Sequence, residues 1–231
     1  MEQNRYLSGE YQKEHPDYHV EDSPWKAQQV LKMMARHQLG PRTVCEVGCG
    51  AGEILGQLQA ALPQNTEFCG YDISPHAGEL WQARENENLR FFCQDLLDAD
   101  TKPFDLLLCM DVFEHVEDYM GFLRRLRPKA GLKLFHIPLD MWTFSVLFST
   151  PIEDCRKRFG HLHYFSKDTA LATLVDTGYQ IEDWFYTPTA IDRGSGLVAT
   201  LGNVPRRFLS LVSPDLTVRL LGGYGLMVLA K

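Results

Sequence analysis

The apolar run Thr43-Val44-Cys45 leads directly into Glu46-Val47-Gly48-Cys49-Gly50-Ala51-Gly52, and this junction constrains the chain more than any other stretch. Three alternate glycines let the main chain turn sharply and approach a ligand without Cβ atoms in the way. A helical pattern, Gly52-Glu-Ile-Leu-Gly-Gln-Leu, opens immediately afterwards. A strand, a glycine turn and a helix in that order point to a bound nucleoside. The spacing also separates ligand types. A G-x-G-x-x-G fingerprint seats a pyrophosphate on the helix N-terminus, whereas the residue three beyond Gly50 is Glu53, whose carboxylate repels phosphate. Glu46 at the strand end suits a cationic group instead, because a carboxylate accepts hydrogen bonds from an amine.

The rest of the chain repeats the alternation. Ser23-Pro24 reads as the N-cap and first-position proline of an amphipathic helix that carries Ala27, Val30, Leu31, Met34 and Ala35 and ends before Gly40-Pro41. Strands are expected at 43–47, 66–71, 89–93, 104–110 and 132–137, with helices at 52–62, 75–85 and 118–127 between them. A helix capped by Ser166 and running to Thr177, a strand at 179–186 and a last strand at 224–230 complete the series. Such alternation implies crossover units and a doubly wound, mostly parallel α/β sheet. Two irregular stretches, 139–160 and 187–217, follow late strands. Ligands in open α/β sheets bind beyond the carboxyl ends of strands, so these insertions are expected to form the substrate side. The 231 residues read as one domain, with 1–40 as a helical lid or extension.

Composition narrows the partners. A formal charge of −7 argues against a general nucleic-acid binder, which needs clustered Lys and Arg. The basic groups at 124–127, 156–158 and 206–207 read as solvated surface. The six cysteines form no C-x-x-C pair, and four fall inside apolar runs, as expected of buried thiols in a reducing compartment. The N-terminus carries no apolar signal region, and no stretch approaches the roughly 18 apolar residues of a membrane span. A cytoplasmic protein without a transmembrane segment is the resulting expectation.

Further acids fall where a nucleoside would use them. Asp72 closes the second strand twenty residues beyond Gly52, at a position where a carboxylate accepts both ribose hydroxyls or caps the next helix. Asp95 follows the third strand, placed to accept an adenine amino group while Leu96 covers the ring. The segment Phe104-Asp105-Leu-Leu-Leu-Cys-Met110-Asp111-Val-Phe-Glu114-His115-Val-Glu-Asp118 suits a central strand with polar residues at its crevice end.

With E-x-G-x-G-x-G at 46–52 and this fourth-strand segment, the chain resembles class I S-adenosylmethionine-dependent methyltransferases. It is similar to small-molecule enzymes such as the ubiquinone-biosynthesis O-methyltransferases. The likeness covers roughly 42–186 and the terminal strand, including Phe159-Gly-His161-Leu-His163-Tyr-Phe-Ser166 before the final helix. It implies a seven-stranded Rossmann-like methyltransferase sheet with an antiparallel last strand. It also implies S-adenosyl-L-methionine as cofactor, with S-adenosyl-L-homocysteine as product. On the matching positions, Glu46, Gly48, Gly50, Gly52, Asp72, Ile73, Asp95, Leu96, Met110 and Asp111 would contact it.

Methyl transfer from a sulfonium is an in-line displacement, so the protein chiefly aligns the acceptor with the methyl carbon. A base helps where the acceptor carries a proton, and His115, His136, His161 and His163 are the candidates. His161 and His163 alternate in an extended segment and so point opposite ways, which disfavours a metal site from that pair. His136, inside a strand, reads as a satisfied core residue, and His115 as a residue that fixes the turn or covers the cofactor. The base is therefore expected at His161 or His163, with His115 third and no metal. The aromatic run Trp142–Phe148 could wall a greasy acceptor pocket, contact a lipid-like substrate or form a homodimer surface. The resulting expectation is methyl transfer to an oxygen or nitrogen of a small-molecule acceptor. Its alternative is an inactive, cofactor-binding partner subunit of the same fold.

Overall fold

The computed structural model describes Gly9, Lys13, residues 16–18 and residues 20–231 apart from 195, with the backbone alone at 197–199. His19 and most of the first fifteen residues of the expected lid lie outside the described residues. Helix α1 (Ser23–Arg36) precedes β1 (Thr43–Val47), α2 (Glu53–Ala61), β2 (Glu67–Asp72), β3 (Leu89–Cys93), β4 (Phe104–Met110), α3 (Tyr119–Leu126) and β5 (Ala130–Pro138). There follow α4 (Thr143–Phe148), α5 (Thr150–Phe159), α6 (Lys167–Asp176), β6 (Ile181–Thr187), α7 (Thr189–Arg193), α8 (Gly196–Val212), α9 (Pro214–Leu221) and β7 (Gly225–Ala230). The strands form one seven-stranded sheet in the order β3-β2-β1-β4-β5-β7-β6. All pairings are parallel except those of β7, which runs antiparallel to both β5 and β6. This is the doubly wound sheet with a reversed last strand that the resemblance implies.

Packing follows from the apolar spacing. Leu106–Met110 of β4 is buried throughout, as a central parallel strand covered on both faces requires. Val30, Met33 and Met34 of α1 pack with Leu55 and Leu58 of α2 in one core cluster. Leu123 and Leu126 of α3 and Ala170 and Leu174 of α6 belong to a second. Spacings of three and four residues put each set on a single helical face. Ser166 accepts from Thr169 N, and Thr169 Oγ1 accepts from Ser166 N, so α6 starts where its sequence indicates.

Several local expectations are corrected. The helix expected at 75–85 is only a 3-10 turn over Ala77–Leu80, because that stretch offers just Ala77 and Trp81 to the core. Asp22, not Ser23, is the N-cap of α1, and its carboxylate pairs with Arg193 instead of capping. Cys93 is exposed, whereas Cys45, Cys49 and Cys109 are buried thiols as expected. Both irregular insertions contain helices. Pro151 and Gly160 delimit α5, while Ser213 and Pro214 start α9.

Gly52 shows why the first turn needs glycine. Its φ is +75°, and an added Cβ would lie 2.3 Å from the Phe91 ring. Gly52→Ala combines left-handed strain with overpacking, so it is expected to lower stability by about 2–4 kcal/mol, measured by urea unfolding.

Candidate active site

A cavity of about 960 Å³ opens at the carboxyl ends of the strands, with residues from the ends of β1, β2, β4 and β5 on its wall. Its first side is the glycine turn. Gly48 N and Cys49 N both donate to Tyr71 O, at 2.8 and 3.1 Å, which folds the turn back over β2. Asp72 braces the turn from that strand, accepting from Gly50 N and Ser74 N at 2.8 Å each. Trp81 Nε1 donates to Gly50 O at 2.8 Å, and its indole stacks on Phe91. Tyr18 lies against Gly50, and its hydroxyl is 2.7 Å from Ser74 Oγ. Ile73 and Asp95 continue the wall, with Leu97 N donating to Asp95 Oδ1 at 2.9 Å and Leu96 fully buried beside it.

Glu46 is the electrostatic anomaly of this side. Its side chain is buried, and Oε2 has no hydrogen-bond partner among the described residues. Burial pushes its pKa up to about 8, against the attraction of Lys26 and with the repulsion of Asp72. Burial also raises Asp72, although hydrogen bonds from Ser74 and Gly50 oppose it. Asp111 shows the reverse balance. Burial alone would raise its pKa, but His136 and Lys26 outweigh that effect and hold it well below the ordinary carboxylate range. Lys26 Nζ lies 2.7 Å from Asp111 Oδ2, and His136 Nδ1 lies 2.5 Å from Oδ1.

A histidine group forms another part of the wall. His161 Nδ1 donates to Asp140 Oδ2 at 2.6 Å. Burial would lower the His161 pKa, but this hydrogen bond and the charges of Glu114, Asp140 and Asp111 raise it overall. His115 meets His161 edge to face at 4.9 Å and donates from Nδ1 to Gly160 O at 3.1 Å. Burial and the neighbouring His161 push His115 down to about 3, so it stays neutral. Behind them Glu114 is fully buried with neither oxygen hydrogen-bonded among the described residues, and burial and Asp111 raise it to about 8. Cys155 lines the cavity and lies 3.7 Å from Asp140 Oδ1, its thiol pushed up to about 12 by burial. Glu114, His115 and His161 offer ligand atoms within 4.8 Å of one another, as do Asp140, Cys155 and His161, so donors for a cation are present.

The expected site residues divide accordingly. Glu46, Gly48, Gly50, Asp72, Ile73, Asp95, Leu96, Met110 and Asp111 all line the cavity, as do His115 and His161. Gly52 is not on the wall and serves the turn through its contact with Phe91. His163 is also off the wall. Its Nε2 donates to Val116 O and Glu117 O, at 3.0 and 3.2 Å, and its ring packs on Tyr119. His136 is the satisfied interior histidine expected from its strand position, bonded to Asp111 and, through Nε2, to Thr187 Oγ1 at 2.9 Å. Sequence reasoning missed Asp140 and the ion pair of Lys26. Asp140 follows β5 by two residues, so the rule that sites gather at strand carboxyl ends could have found it.

Comparison with known proteins agrees with this architecture. The chain matches the family described as a methyltransferase domain over residues 21–183. A ubiquinone biosynthesis O-methyltransferase from Coxiella burnetii is 29% identical over 99 residues, 40% of this chain and 41% of the relative. The match therefore spans about two-fifths of the length of the curated relatives. The magnesium protoporphyrin IX methyltransferase of Synechocystis PCC 6803, solved with bound S-adenosylhomocysteine, is similar with a TM-score of 0.60 and 18% identity, over 90% of this chain and 82% of its own. An N-methyltransferase from Bradyrhizobium japonicum WM9, also complexed with S-adenosyl-L-homocysteine, gives a TM-score of 0.59 and 16% identity, over 95% and 96%. At these identities the two structures share the fold.

Two expectations follow from the electrostatics. Glu46 has a folded-state pKa of about 8 against an ordinary 4.5. Between those values the unfolded chain has lost a proton that the folded chain keeps, so stability falls as pH rises, by up to about 1.4 kcal/mol per pH unit. Glu46→Gln removes this loss, and its melting temperature relative to the parent should climb from about pH 5 to about pH 8. Asp140→Asn removes the strongest support of protonated His161, and its ring titration by NMR should move to lower pH.

Proposed function

The chain belongs to the methyltransferase-domain family, and on that premise we propose that it transfers a methyl group from S-adenosyl-L-methionine to an oxygen or nitrogen of a small molecule. The observation that carries the cofactor assignment is the Glu46 carboxylate, buried at the end of β1 beside the glycine turn, with Oε2 unpartnered among the described residues. A buried acceptor in that condition fits a cationic amine, which supplies both the missing hydrogen bond and the compensating charge. Gly48 and Gly50 bring no side chains of their own to the turn. Asp72 and Asp95 are the acceptors for ribose hydroxyls and an adenine amino group, and Ile73 and Leu96 supply apolar contact. The cofactor contributes an electrophilic methyl group on a sulfonium.

The protein contributes orientation and a place for the acceptor's proton. Asp140 holds His161 with Nδ1 protonated, leaving Nε2 as the atom that accepts a proton from a hydroxyl or amine. The carboxylate also steadies the imidazolium once it forms. His115, kept neutral beside it, adds no competing positive charge. His163 is off the cavity wall with its Nε2 engaged by main-chain carbonyls, which favours His161 as the base. An oxygen acceptor is supported by the Coxiella burnetii relative's description, and a nitrogen acceptor by that of the Bradyrhizobium japonicum neighbour.

Calorimetry with S-adenosyl-L-methionine tests the cofactor site. Binding near neutral pH should release a proton as Glu46 ionises against the amine, visible as a dependence of the heat on buffer. Glu46→Gln should lose both the proton and most of the affinity. Absence of binding to folded protein would overturn the assignment. With phenols and amines as acceptors, His161→Gln should keep cofactor affinity and lose about 10²–10⁴-fold in turnover, read as S-adenosyl-L-homocysteine released. Turnover equal to the parent's would remove His161 from the base role.

A further inference from the structure

Helix α8 wears its amphipathicity inside out. Two of its polar residues, Asn203 and Arg206, face the protein, where Asn203 Nδ2 donates to Ala190 O at 2.7 Å. Arg206 donates to Leu221 O and Gly222 O at 2.9 and 3.1 Å. The outward face is apolar, with Phe208 72%, Leu211 84% and Val212 83% exposed. Helix α4 adds Phe144, Leu147 and Phe148, exposed by 47, 69 and 59%. Helix α9 contacts both and continues the surface with Leu216 and Leu220. Monomeric soluble proteins rarely expose so large a contiguous apolar surface, so it has a partner.

Charge identifies that partner. Residues 141–160 and 194–222, which carry this surface, have a formal charge of +3, whereas the rest of the chain carries −10. Between Gly194 and Ser213 the only charged residues are Arg206 and Arg207, and Arg207 is exposed on α8. The last turn of α5, next to α4, holds Arg156, Lys157 and Arg158. A second copy placed face to face would set these like charges against each other. An anionic bilayer surface presents the complementary charge and an apolar layer just beneath it. Among the described residues no helix is long and apolar enough to cross a membrane, so the contact is interfacial. We propose that α4, α8 and α9 form a docking surface for anionic membranes, with Phe208, Leu211 and the α4 phenylalanines entering the headgroup boundary. The inference stands on surface chemistry alone and does not rest on the methyl-transfer reading.

Flotation of the full chain with vesicles tests it. The protein should rise with vesicles of phosphatidylcholine mixed with phosphatidylglycerol, rise far less with phosphatidylcholine alone, and lose binding as salt increases. Phe208→Asp combined with Leu211→Asp, both at exposed positions, should weaken partitioning by about tenfold or more while leaving the circular dichroism and S-adenosyl-L-methionine binding unchanged. Arg207→Glu should reduce binding to the mixed vesicles alone. No flotation with either vesicle would overturn the proposal. So would a stable dimer, measured by light scattering, that the double variant dissociates, since the surface would then belong to a second copy.

Discussion

One half-buried carboxylate, that of Asp111, ties the sheet to the helix that covers it. Asp111 sits just past β4 with φ at +57°, a conformation that costs a non-glycine residue energy and that its surroundings must hold in place. Its amide donates to His136 O on β5, while its carboxylate holds His136 Nδ1 and Lys26 Nζ. His136 continues to Thr187 at the end of β6, so α1, β4, β5 and β6 meet through two side chains. Beside it, β7 must be Gly225, because an added Cβ there would stand 2.6 Å from His136 Nε2. A half-buried ion pair is poor evidence of net stabilisation, yet removing one partner leaves the other's charge uncompensated. The network is therefore a positional device. It holds α1 beside the cavity, where Asp22, Ser23 and Lys26 become part of the wall.

Much of this fold was legible in the order of residues because its signals are local. The apolar run into Gly48, the Leu-Leu-Leu-Cys strand and the Ser166 cap each depend on residues a few positions apart, and all stand as read. The cavity wall was nearly as legible, since strand ends are set by local pattern and the crevice lies at their carboxyl ends. What escaped were properties that arise only when distant segments meet. Asp140 gains its role from His161, twenty-one residues away, and Lys26 from Asp111, eighty-five residues away. The misplaced helix at 75–85 failed for a similar reason. Trp81 turns its indole toward Gly50 O, a long-range bond that no helical periodicity encodes.

His163 carries the same lesson in a sharper form. Alternation in an extended segment correctly separates it from His161, but period two cannot say which of two neighbours faces inward. That choice is made by Leu162 N and His163 N, which both donate to Glu114 O at 2.8 and 3.1 Å and so fix the register of this segment against the turn after β4. Once the register is set, His161 reaches Asp140 and His163 reaches the carbonyls of Val116 and Glu117. A main-chain contact thus assigns the two side chains their different environments.

Those environments organise the chemistry of the cavity. Similar groups are driven apart in proton affinity by what surrounds them: Glu46 and Glu114 upward by burial, Asp111 downward by His136 and Lys26, His115 downward and His161 upward. Such divergence between like groups is the arrangement by which acid and base roles are set apart in catalytic sites. It also gives the cavity two distinct regions. Around the glycine turn, neutral Glu46 awaits a positive partner before it ionises, which makes the seat selective for cations. Around His161 the positive charge is already welcome, because Asp140 stands ready beside it and His115 remains uncharged. Under the proposed methyl transfer, a proton leaving the acceptor would go to His161, apart from the charge balance around Glu46.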